Sequence, residues 1–347
     1  MALSRCAKWR SPWERLEMNP TVTILLPVYN GAAYLRETLD SLLQQTCHDF
    51  ELIIIDDGSR DESARIIQSV NDNRIRFYRQ DNRGLAATLN RAIELSRGEF
   101  LARQDQDDVS LPHRLESQLN YLVSHPNCGL VGTWAEIVSG TEKTGRAHRH
   151  AAENYCLKFD LLFDNPFVHS SVMLRKSAVE AVGMYSTDPS RQPPEDYELW
   201  SRLSRKWEVA NIPEVLHIYR EISTSMSRDG VNPFRNRVID ISVENLQWLL
   251  GDATVGSTIH DLAALNHATY SRVNPHARWR AISRLVMDAA DKLAISCDAP
   301  QPVLRQRAQA RLTRIKPHYH RFKNSQGVRR YIKGVSVAFG RLVSGWR

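Results

Sequence analysis

The sequence has few cysteines and no arrangement of them that would form a framework. Its five cysteines are scattered singly over 347 residues, and none belongs to a Cys-x-x-Cys pair. An odd number without such pairs argues against a disulfide framework and against a structural zinc site. A reducing cytoplasm is therefore the expected compartment.

Long apolar runs are also absent. The first twenty residues lack the continuous apolar core of a signal peptide, and no later stretch is long enough to span a bilayer. We therefore expect a soluble or peripheral protein. Because Met18 is followed by Asn19, Pro20 and a strand pattern, residues 1–19 are expected to be a disordered extension or the product of a misassigned start.

Acidic residues are missing from the end of the chain. Residues 301–347 contain 12 Lys and Arg and no Asp or Glu, so the other residues carry 34 basic and 39 acidic side chains, a net charge of −5 against +7 overall. The last twenty residues have the pattern of a basic amphipathic helix. Such a helix can lie on an anionic membrane surface, or pack on the protein or on a second copy in a homo-oligomer. We expect no nucleic acid partner, because the tail lacks a recognisable binding module. The apolar stripe of the last twenty residues comprises Val328, Tyr331, Ile332, Val335, Phe339, Leu342, Val343 and Trp346.

Strand and helix patterns alternate through the first half of the chain. Buried-strand stretches such as "TVTILLPVY", "DFELIIIDDGS" and "GEFLARQ" are separated by segments with apolar residues at helical spacing. This alternation predicts an α/β fold with a largely parallel sheet flanked by helices. We expect the α/β domain to cover residues 20–230 and a helical region to cover 231–347.

An acidic cluster follows the strand "GEFLARQ". Asp105, Asp107 and Asp108 lie within four positions, and charges this close repel unless a positive group compensates them. The N-terminus of a following helix could stabilise Asp107 and Asp108 with no function involved. Alternatively, an extended chain would place Asp105 and Asp107 on one side, as in a DxD motif that binds Mg²⁺ or Mn²⁺.

A second acidic site lies in "PPEDYELW". Leu199, Trp200 and Leu203 follow Asp196 at helical spacing, which predicts that Asp196 heads the buried face. The same spacing predicts that Glu195, Glu198, Arg202 and Arg205 point outward. Glu195 in a first helical turn is explained by the helix dipole alone. A carboxylate on the buried side needs another reason, and burial would raise its pKa towards the value of a general base.

The order and spacing of five stretches resemble the inverting family 2 glycosyltransferases with the GT-A fold, a Rossmann-like mixed sheet flanked by helices. The resemblance covers about Thr21 to Ser227 and leaves the helical remainder uncovered. The stretches are "LPVYNGAAYLRETLDSLLQQT", "ELIIIDDGSRDES", "DNRGLAATLNRAI", "GEFLARQDQDD" and "PPEDYELWSRL".

This resemblance implies roles at the donor site. Pro27 and Tyr29 would flank the base of the nucleotide, and Asp57 would accept a hydrogen bond from it, although Asp57 could simply lie in a turn beside an S-x-x-E capping box formed by Ser59 and Glu62. Arg83 is a candidate for nucleotide or diphosphate contact, or an exposed surface arginine.

The resemblance also implies the catalytic residues. Asp105 would face the ribose, Asp107 would bind the metal that bridges the diphosphate, and Asp196 would be the base that deprotonates the acceptor. His169, in "NPFVHSSVMLRKS", and Glu195 are candidates for the acceptor side, although a lone histidine in a strand is more often structural. The family tends to carry Tyr-Arg-x-His near the end of the domain; here Ile222 replaces the histidine, which leaves a metal ligand there in doubt.

The sequence therefore predicts a cytoplasmic, metal-dependent, inverting glycosyltransferase of the hexosyl- or N-acetylhexosaminyltransferase type. Its donor would be a nucleoside diphosphate sugar, most readily a UDP-sugar, and its acceptor a hydroxyl of a surface polysaccharide or lipid-linked oligosaccharide. Residues 301–347 would make a peripheral contact with the inner face of the membrane. Two alternatives stay open: a non-catalytic nucleotide-sugar-binding subunit, and a DxD phosphotransferase that forms an aspartyl phosphate.

Overall fold

The computed structural model describes residues 19–222, 234–251 and 256–344, with side chains described up to residue 326. These residues form two compact units. Three predictions lie wholly or almost wholly outside the described residues or side chains and remain predictions. They are the extension 1–19, of which only Asn19 is described, the domain boundary at residue 230, and the apolar stripe of the tail. The first unit lies within Met1–Arg149, Phe167–Tyr185 and Ile212–Glu221, and the second within His150–Pro166, Ser186–Asn211 and Ile222–Arg347.

A mixed sheet organises the first unit. Strands β1, β2 and β3 are parallel to one another, β4 is parallel to β1, and the pairing becomes antiparallel from β4 to β8 onward. The order across the sheet is β3-β2-β1-β4-β8-β6-β9-β5, with β7 on β6. The described strands are β1 Val22–Val28, β2 Phe50–Asp56, β3 Ile75–Arg79, β4 Phe100–Arg103, β5 Val109–Ser110, β6 Cys128–Ser139, β7 Glu142–His148, β8 Met173–Arg175 and β9 Glu208–Glu221.

The helices of the first unit follow the predicted spacing, with one difference at the fourth. Leu35, Leu39 and Leu42 are fully buried on the first helix, as their periodicity predicts. The fourth helix begins at Arg114, and Val123, which follows Leu115 and Leu122 in an apolar helical pattern that predicts burial, is 65% exposed. The described helices of this unit are α1 Leu35–Leu43, α2 Ser63–Gln68, α3 Leu85–Leu95, α4 Arg114–Ser124 and, later in the chain, α6 Lys176–Glu180.

The second unit is built mainly of helices around its own apolar core. Leu304, Ala308, Leu312 and Ile315 are buried on the predicted face of the last helix, opposite residues such as Ile282 in the same core. No helix in the described part of the chain combines the length and apolarity needed to cross a bilayer. The described helices of this unit are α5 Asn154–Leu161, α7 Glu195–Ser204, α8 Arg235–Leu250, α9 Gly256–Asn266, α10 Trp279–Ser296 and α11 Gln301–Ser344.

Candidate active site

The carboxyl ends of the parallel strands bring the predicted nucleotide-binding residues to one edge of the sheet. Asp57 follows β2 directly, and its backbone amide donates to the Val28 carbonyl at 2.8 Å. The backbone N–H and carbonyl of Val28 therefore point towards β2. The nitrogen of Pro27, one residue earlier in the strand, points to the opposite side, towards β4. Since β4 ends at Arg103, opposite Leu25, the missing N–H of Pro27 costs no hydrogen bond of the sheet. Open α/β sheets bind ligands at this edge.

Asp57 is buried and holds the loop that follows β3. Its Oδ1 accepts from Gln80 Nε2 at 2.7 Å and from the backbone amide of Arg83 at 2.8 Å. Its Oδ2 accepts from the Gly84 amide at 2.9 Å. The structure therefore joins Asp57 to the backbone of the exposed Arg83. Both oxygens can accept further bonds, and the nucleotide contacts of Asp57 and Arg83 stay predictions.

The capping box predicted for Ser59 and Glu62, beside Asp57, is wrong. The helix α2 begins at Ser63, one residue after Glu62, and no side-chain hydrogen bond caps it. Ser59 instead accepts a bond from the Asn30 amide at 2.9 Å. Its position is therefore set by the β1–α1 turn and not by a helix start.

Gln106, which is not among the predicted site residues, joins Tyr29 to the acidic cluster. The Tyr29 amide donates to Gln106 Oε1 at 2.8 Å, and Gln106 Nε2 donates to the Tyr29 carbonyl at 3.1 Å. The Tyr29 side chain is 48% exposed. A methyl group on Gly31 would lie 2.3 Å from Gln106 Oε1, so a glycine is needed for this close approach. Gln106 thus connects the predicted nucleotide-binding turn at Tyr29 with the acidic cluster.

Asp105, Asp107 and Asp108 converge in a turn. One carboxylate oxygen from each lies within 4.8 Å of those of the other two, an arrangement that can bind a metal ion. The segment does not continue the strand, because β4 ends at Arg103 and residues 106–107 form a turn. The expected strand alternation is therefore wrong as the cause of the convergence.

The helix-dipole explanation of Asp108 is also wrong, since α4 begins six residues later. Asp108 is 1% exposed, and its Oδ2 lies 3.1 Å from His217 Nε2. Its Oδ1 accepts from the Arg220 backbone amide at 2.8 Å. Burial alone would raise the pKa of Asp108, but the bonds from His217, Ser170 and Arg220 outweigh it and lower that pKa. Asp108 therefore fixes the acidic turn to β9.

Two buried arginines lie beneath the cluster. Arg103 is 1% exposed and forms a salt bridge with Asp105. Arg114 is fully buried, and its Nη2 donates to the Arg103 carbonyl at 2.6 Å, while its Nη1 donates to Gln104 Oε1 at 2.8 Å. Burial, with Arg103 nearby, lowers the pKa of Arg114 to about 9. Part of the positive charge that the cluster needs is thus built into the protein.

Asp107 keeps the least compensated charge of the three. Burial, and then the charges of Asp105 and Asp108, raise its pKa to about 7. A divalent cation would relieve this repulsion, and hard oxygen donors are the ligands that Mg²⁺ and Mn²⁺ prefer. The residues present therefore fit the predicted metal, with Asp107 as the carboxylate that would gain most.

His169 lies in the first unit, in a short 3₁₀ turn before β8. Its Nε2 lies 2.9 Å from the Tyr185 hydroxyl. Burial, with Arg103 nearby, holds the pKa of His169 well below its usual value, so the ring is neutral at physiological pH. A contact with an acceptor stays a prediction.

Asp196 lies in the first turn of α7 in the second unit. Its Oδ2 accepts from Asn165 Nδ2 at 2.7 Å, and its Oδ1 accepts from the Tyr197 amide at 2.7 Å. Asn165 is the first residue of the stretch "NPFVHSSVMLRKS", but no local pattern distinguishes it from other asparagines.

The predicted orientation of the first turn of α7 is wrong. Glu195 and Glu198 were expected to point outward, but they are 7% and 2% exposed, while Asp196 is only half-buried. Glu198 is compensated by salt bridges to Arg191 and Arg202. These ion pairs allow α7 to be buried on nearly all sides, so its polar residues do not mark a solvent face.

The Tyr-Arg segment has a role that the sequence did not reveal. Arg220 is 4% exposed, and its Nε donates to the Asp107 carbonyl at 2.7 Å. Its Nη2 lies 2.8 Å from Glu37 Oε2, and its guanidinium stacks 4.4 Å from the centre of the Tyr34 ring. Arg220 thus holds the backbone of the acidic turn. Arg220 is the arginine of the Tyr-Arg-x-His pattern, so the pattern itself marks it as a candidate site residue. The sequence interpretation used that pattern only to look for a metal-ligating histidine.

The fold is of the GT-A type found in solved glycosyltransferase structures. The structure of S. aureus TarS 1-349 in complex with UDP-GlcNAc matches with a TM-score of 0.57 and 16% identity, covering 91% of this chain and 92% of that one. The mannosyltransferase PcManGT from Pyrobaculum calidifontis, in complex with GDP-Man and Mn²⁺, matches at 0.50 and 18%, covering 86% and 87%.

The sequence comparisons give the family. The Glycosyl transferase family 2 model matches residues 23–183. A putative glycosyltransferase EpsE of Bacillus subtilis is 30% identical over 61% of this chain and 77% of its own length. The amylovoran biosynthesis glycosyltransferase AmsE of Erwinia amylovora is 32% identical over 62% and 82%. This chain belongs to glycosyltransferase family 2, which confirms the resemblance and leaves the aspartyl phosphotransferase without support.

Proposed function

We propose that this glycosyltransferase moves a sugar from a nucleoside diphosphate sugar, a UDP-sugar in the first place, to a hydroxyl of a polysaccharide or lipid-linked oligosaccharide, with inversion at the anomeric carbon. The convergence of three carboxylates at the ligand-binding edge of the sheet carries the proposal. The UDP-GlcNAc and GDP-Man complexes of the two similar structures support a donor of this class. The name of the amylovoran relative supports a polysaccharide acceptor.

The residues of the acidic turn would prepare the leaving group. Asp107, with Asp105 beside it, would hold Mg²⁺ or Mn²⁺, which supplies Lewis-acid stabilisation of the diphosphate when bound. Arg103 and Arg220 keep the turn in place through the Asp105 carboxylate and the Asp107 carbonyl. Pro27, Tyr29, Asp57 and Arg83 would position the nucleotide.

Asp196 would act as the general base. Its carboxylate takes the proton of the acceptor hydroxyl while that oxygen forms a bond to the anomeric carbon. The bond from the anomeric carbon to the diphosphate oxygen breaks, and the nucleoside diphosphate leaves with the electron pair. One base and one displacement give inversion. His169 and Glu195 are proposed for the acceptor side.

A donor-turnover assay tests the function. We would measure release of nucleoside diphosphate from UDP- and GDP-sugars with Mn²⁺ or Mg²⁺, for the wild type, Asp107→Asn and Asp196→Asn. Asp40→Asn and Asp240→Asn are matched controls, because both acids are well exposed and each forms a salt bridge with an arginine, Arg36 or Arg272. Loss of turnover in the first two variants alone supports the mechanism. Full activity of both refutes it, and tight nucleotide binding without turnover by the wild type on any acceptor indicates a non-catalytic subunit.

We also propose a peripheral contact with an anionic membrane through residues 301–347. The part of α11 up to Phe322 uses one face to pack in the second unit, and Arg307 and Arg311 pair with Asp160. Arg314, Lys316 and Arg321 are exposed and leave positive charge for a surface. We expect cosedimentation with anionic but not with neutral vesicles, and we expect salt to weaken it. Equal binding to both kinds of vesicle, or binding to neither, would refute the proposal.

A further inference from the structure

The end of α5 is held by side chains of the C-terminal helices. A helix leaves its last carbonyl groups without partners inside the helix. At the end of α5, the carbonyl of its last residue, Leu161, accepts from Asn245 Nδ2 at 2.8 Å, and the Leu162 carbonyl accepts from the Ser242 hydroxyl at 2.8 Å. Both donors lie on α8 and are buried. The helix α8 therefore takes up the polar groups that α5 leaves open.

Two further helices fix the same segment. His267 Nε2, after α9, lies 2.9 Å from the Phe163 carbonyl. On α11, Arg307 Nε donates to Asp160 Oδ1 at 2.9 Å, and Arg311 Nη2 donates to the same oxygen at 3.2 Å. Arg311 is 6% exposed, so this ion pair is shielded from water. Residues 160–163 are thus held by α8, α9 and α11 together.

The held segment leads directly to the carboxylate of Asp196. Asn165 follows two residues after Phe163, and its Nδ2 donates to Asp196 Oδ2 at 2.7 Å. The other oxygen accepts from the Tyr197 amide at 2.7 Å, and the Tyr197 hydroxyl donates back to the Leu161 carbonyl at 2.9 Å. These two donors, Asn165 Nδ2 and the Tyr197 amide, restrain the orientation of the Asp196 carboxylate.

We propose that Asn165 is a positioning residue for Asp196, and that α8, α9 and α11 hold Asn165 in place through the end of α5. The inference rests on the proposed role of Asp196 as base. It gives the C-terminal helices, which the family motifs do not cover, a part in the sugar-transfer step. A bond from a neutral amide to a carboxylate stabilises the charged form that accepts a proton.

The test compares Asn165→Ala with Asn165→Asp. Both variants lose the donor, but only aspartate keeps the size and shape of asparagine. If Asn165 acts by donation, both lower kcat by about tenfold or more, and Asp is at least as damaging as Ala, because two carboxylates would then face each other. Acceptor KM and donor Kd should stay within about twofold of the wild type. Near-wild-type kcat for Asn165→Asp would show a space-filling role and overturn the proposal.

Two further variants test the contribution of the C-terminal helices. Ser242→Ala removes one donor from the end of α5, and Arg307→Ala removes one half of the ion cluster at Asp160. Arg305→Ala is the matched control, since Arg305 lies on the same helix and pairs with Asp291 at the surface. We expect kcat to fall several-fold for the first two and to be unchanged for the control, in protein whose folding is checked by its melting temperature. Equal kcat in all three would overturn the role of these helices.

Failure of this inference and failure of the proposed function give different results. Full activity of Asp196→Asn would contradict the base assignment itself. An inactive Asp196→Asn together with a fully active Asn165→Asp would contradict only the positioning role.

Discussion

Replacing Arg220 should destabilise the first unit and disturb the acidic turn at the same time. Arg220→Ala removes the Arg220 donor from the carbonyls of the half-buried residues Asp107 and Gly140, and it removes the guanidinium from the Tyr34 ring. An unsatisfied buried polar group costs about 1–3 kcal/mol, and a cation–π contact contributes about 0.5–2 kcal/mol. Because the Glu37 carboxylate is 56% exposed, it can turn to water and adds little.

Because both carbonyls are only half-buried, the lower end of this range applies, about 1 kcal/mol for each, and with the cation–π contact the loss is about 2.5–4 kcal/mol. At about 2–4 °C per kcal/mol for a unit of this size, the melting temperature should fall by roughly 5–16 °C. Arg220→Lys keeps the charge but cannot donate to three acceptors in a fixed fork, so it should recover only part of the loss. Thermal unfolding measured by tryptophan fluorescence, with and without Mn²⁺ and UDP, is the assay.

The neighbouring pair provides a control. Arg146 forms a salt bridge with Glu221, next to Arg220 in the chain, but it is 55% exposed. Exposed pairs are screened by water and contribute little to stability, so Arg146→Ala should leave the melting temperature close to that of the wild type. Equal effects of the two alanine variants would refute the reasoning, because burial is the only basis for the difference.

Three further predictions concern contacts near the site and one distant thiol. Gly31→Ala should lower donor affinity, since its methyl group would meet Gln106 Oε1, and Gln106→Ala in the same chain should relieve that clash in a double-mutant cycle. Asp108→Asn should cost about 1–3 kcal/mol in urea unfolding, because an amide cannot accept from both buried donors. Burial raises the pKa of the Cys156 thiol, so less thiolate forms at a given pH, and Cys156 should react with a thiol reagent more slowly than the half-buried Cys297.

The periodic parts of the fold could be predicted from the sequence because burial there repeats with the geometry of the element. Leu35, Leu39 and Leu42 recur at helical spacing and are buried on α1. β1 and β2 are mainly apolar because a parallel strand is covered on both faces, and all their residues are buried. Such patterns are local and need no knowledge of the partner.

The details of the site depend on contacts between residues far apart in the chain, and no local pattern contains them. Asp108 is separated by more than a hundred residues from His217, which compensates it. Glu198 is buried against expectation because Arg191 and Arg202 neutralise it. The sequence therefore indicated which segment is acidic, but not which carboxylate is already satisfied by the protein itself.

That distinction leads to a prediction about Asp107. Asp105 is paired with Arg103, and Asp108 with His217 and the backbone of β9, so the remaining repulsion falls on Asp107. Asp107→Asn should therefore raise the melting temperature in EDTA, by about 2–4 °C for each kcal/mol of repulsion removed, while it abolishes transfer. Mn²⁺ should stabilise the wild type in proportion to RT ln(1 + [Mn²⁺]/Kd) and have no effect on the variant. If the variant were less stable than the wild type in EDTA, the acidic turn would be held together by Asp107 and not strained by it, and a cation would not be needed to explain why three carboxylates converge there.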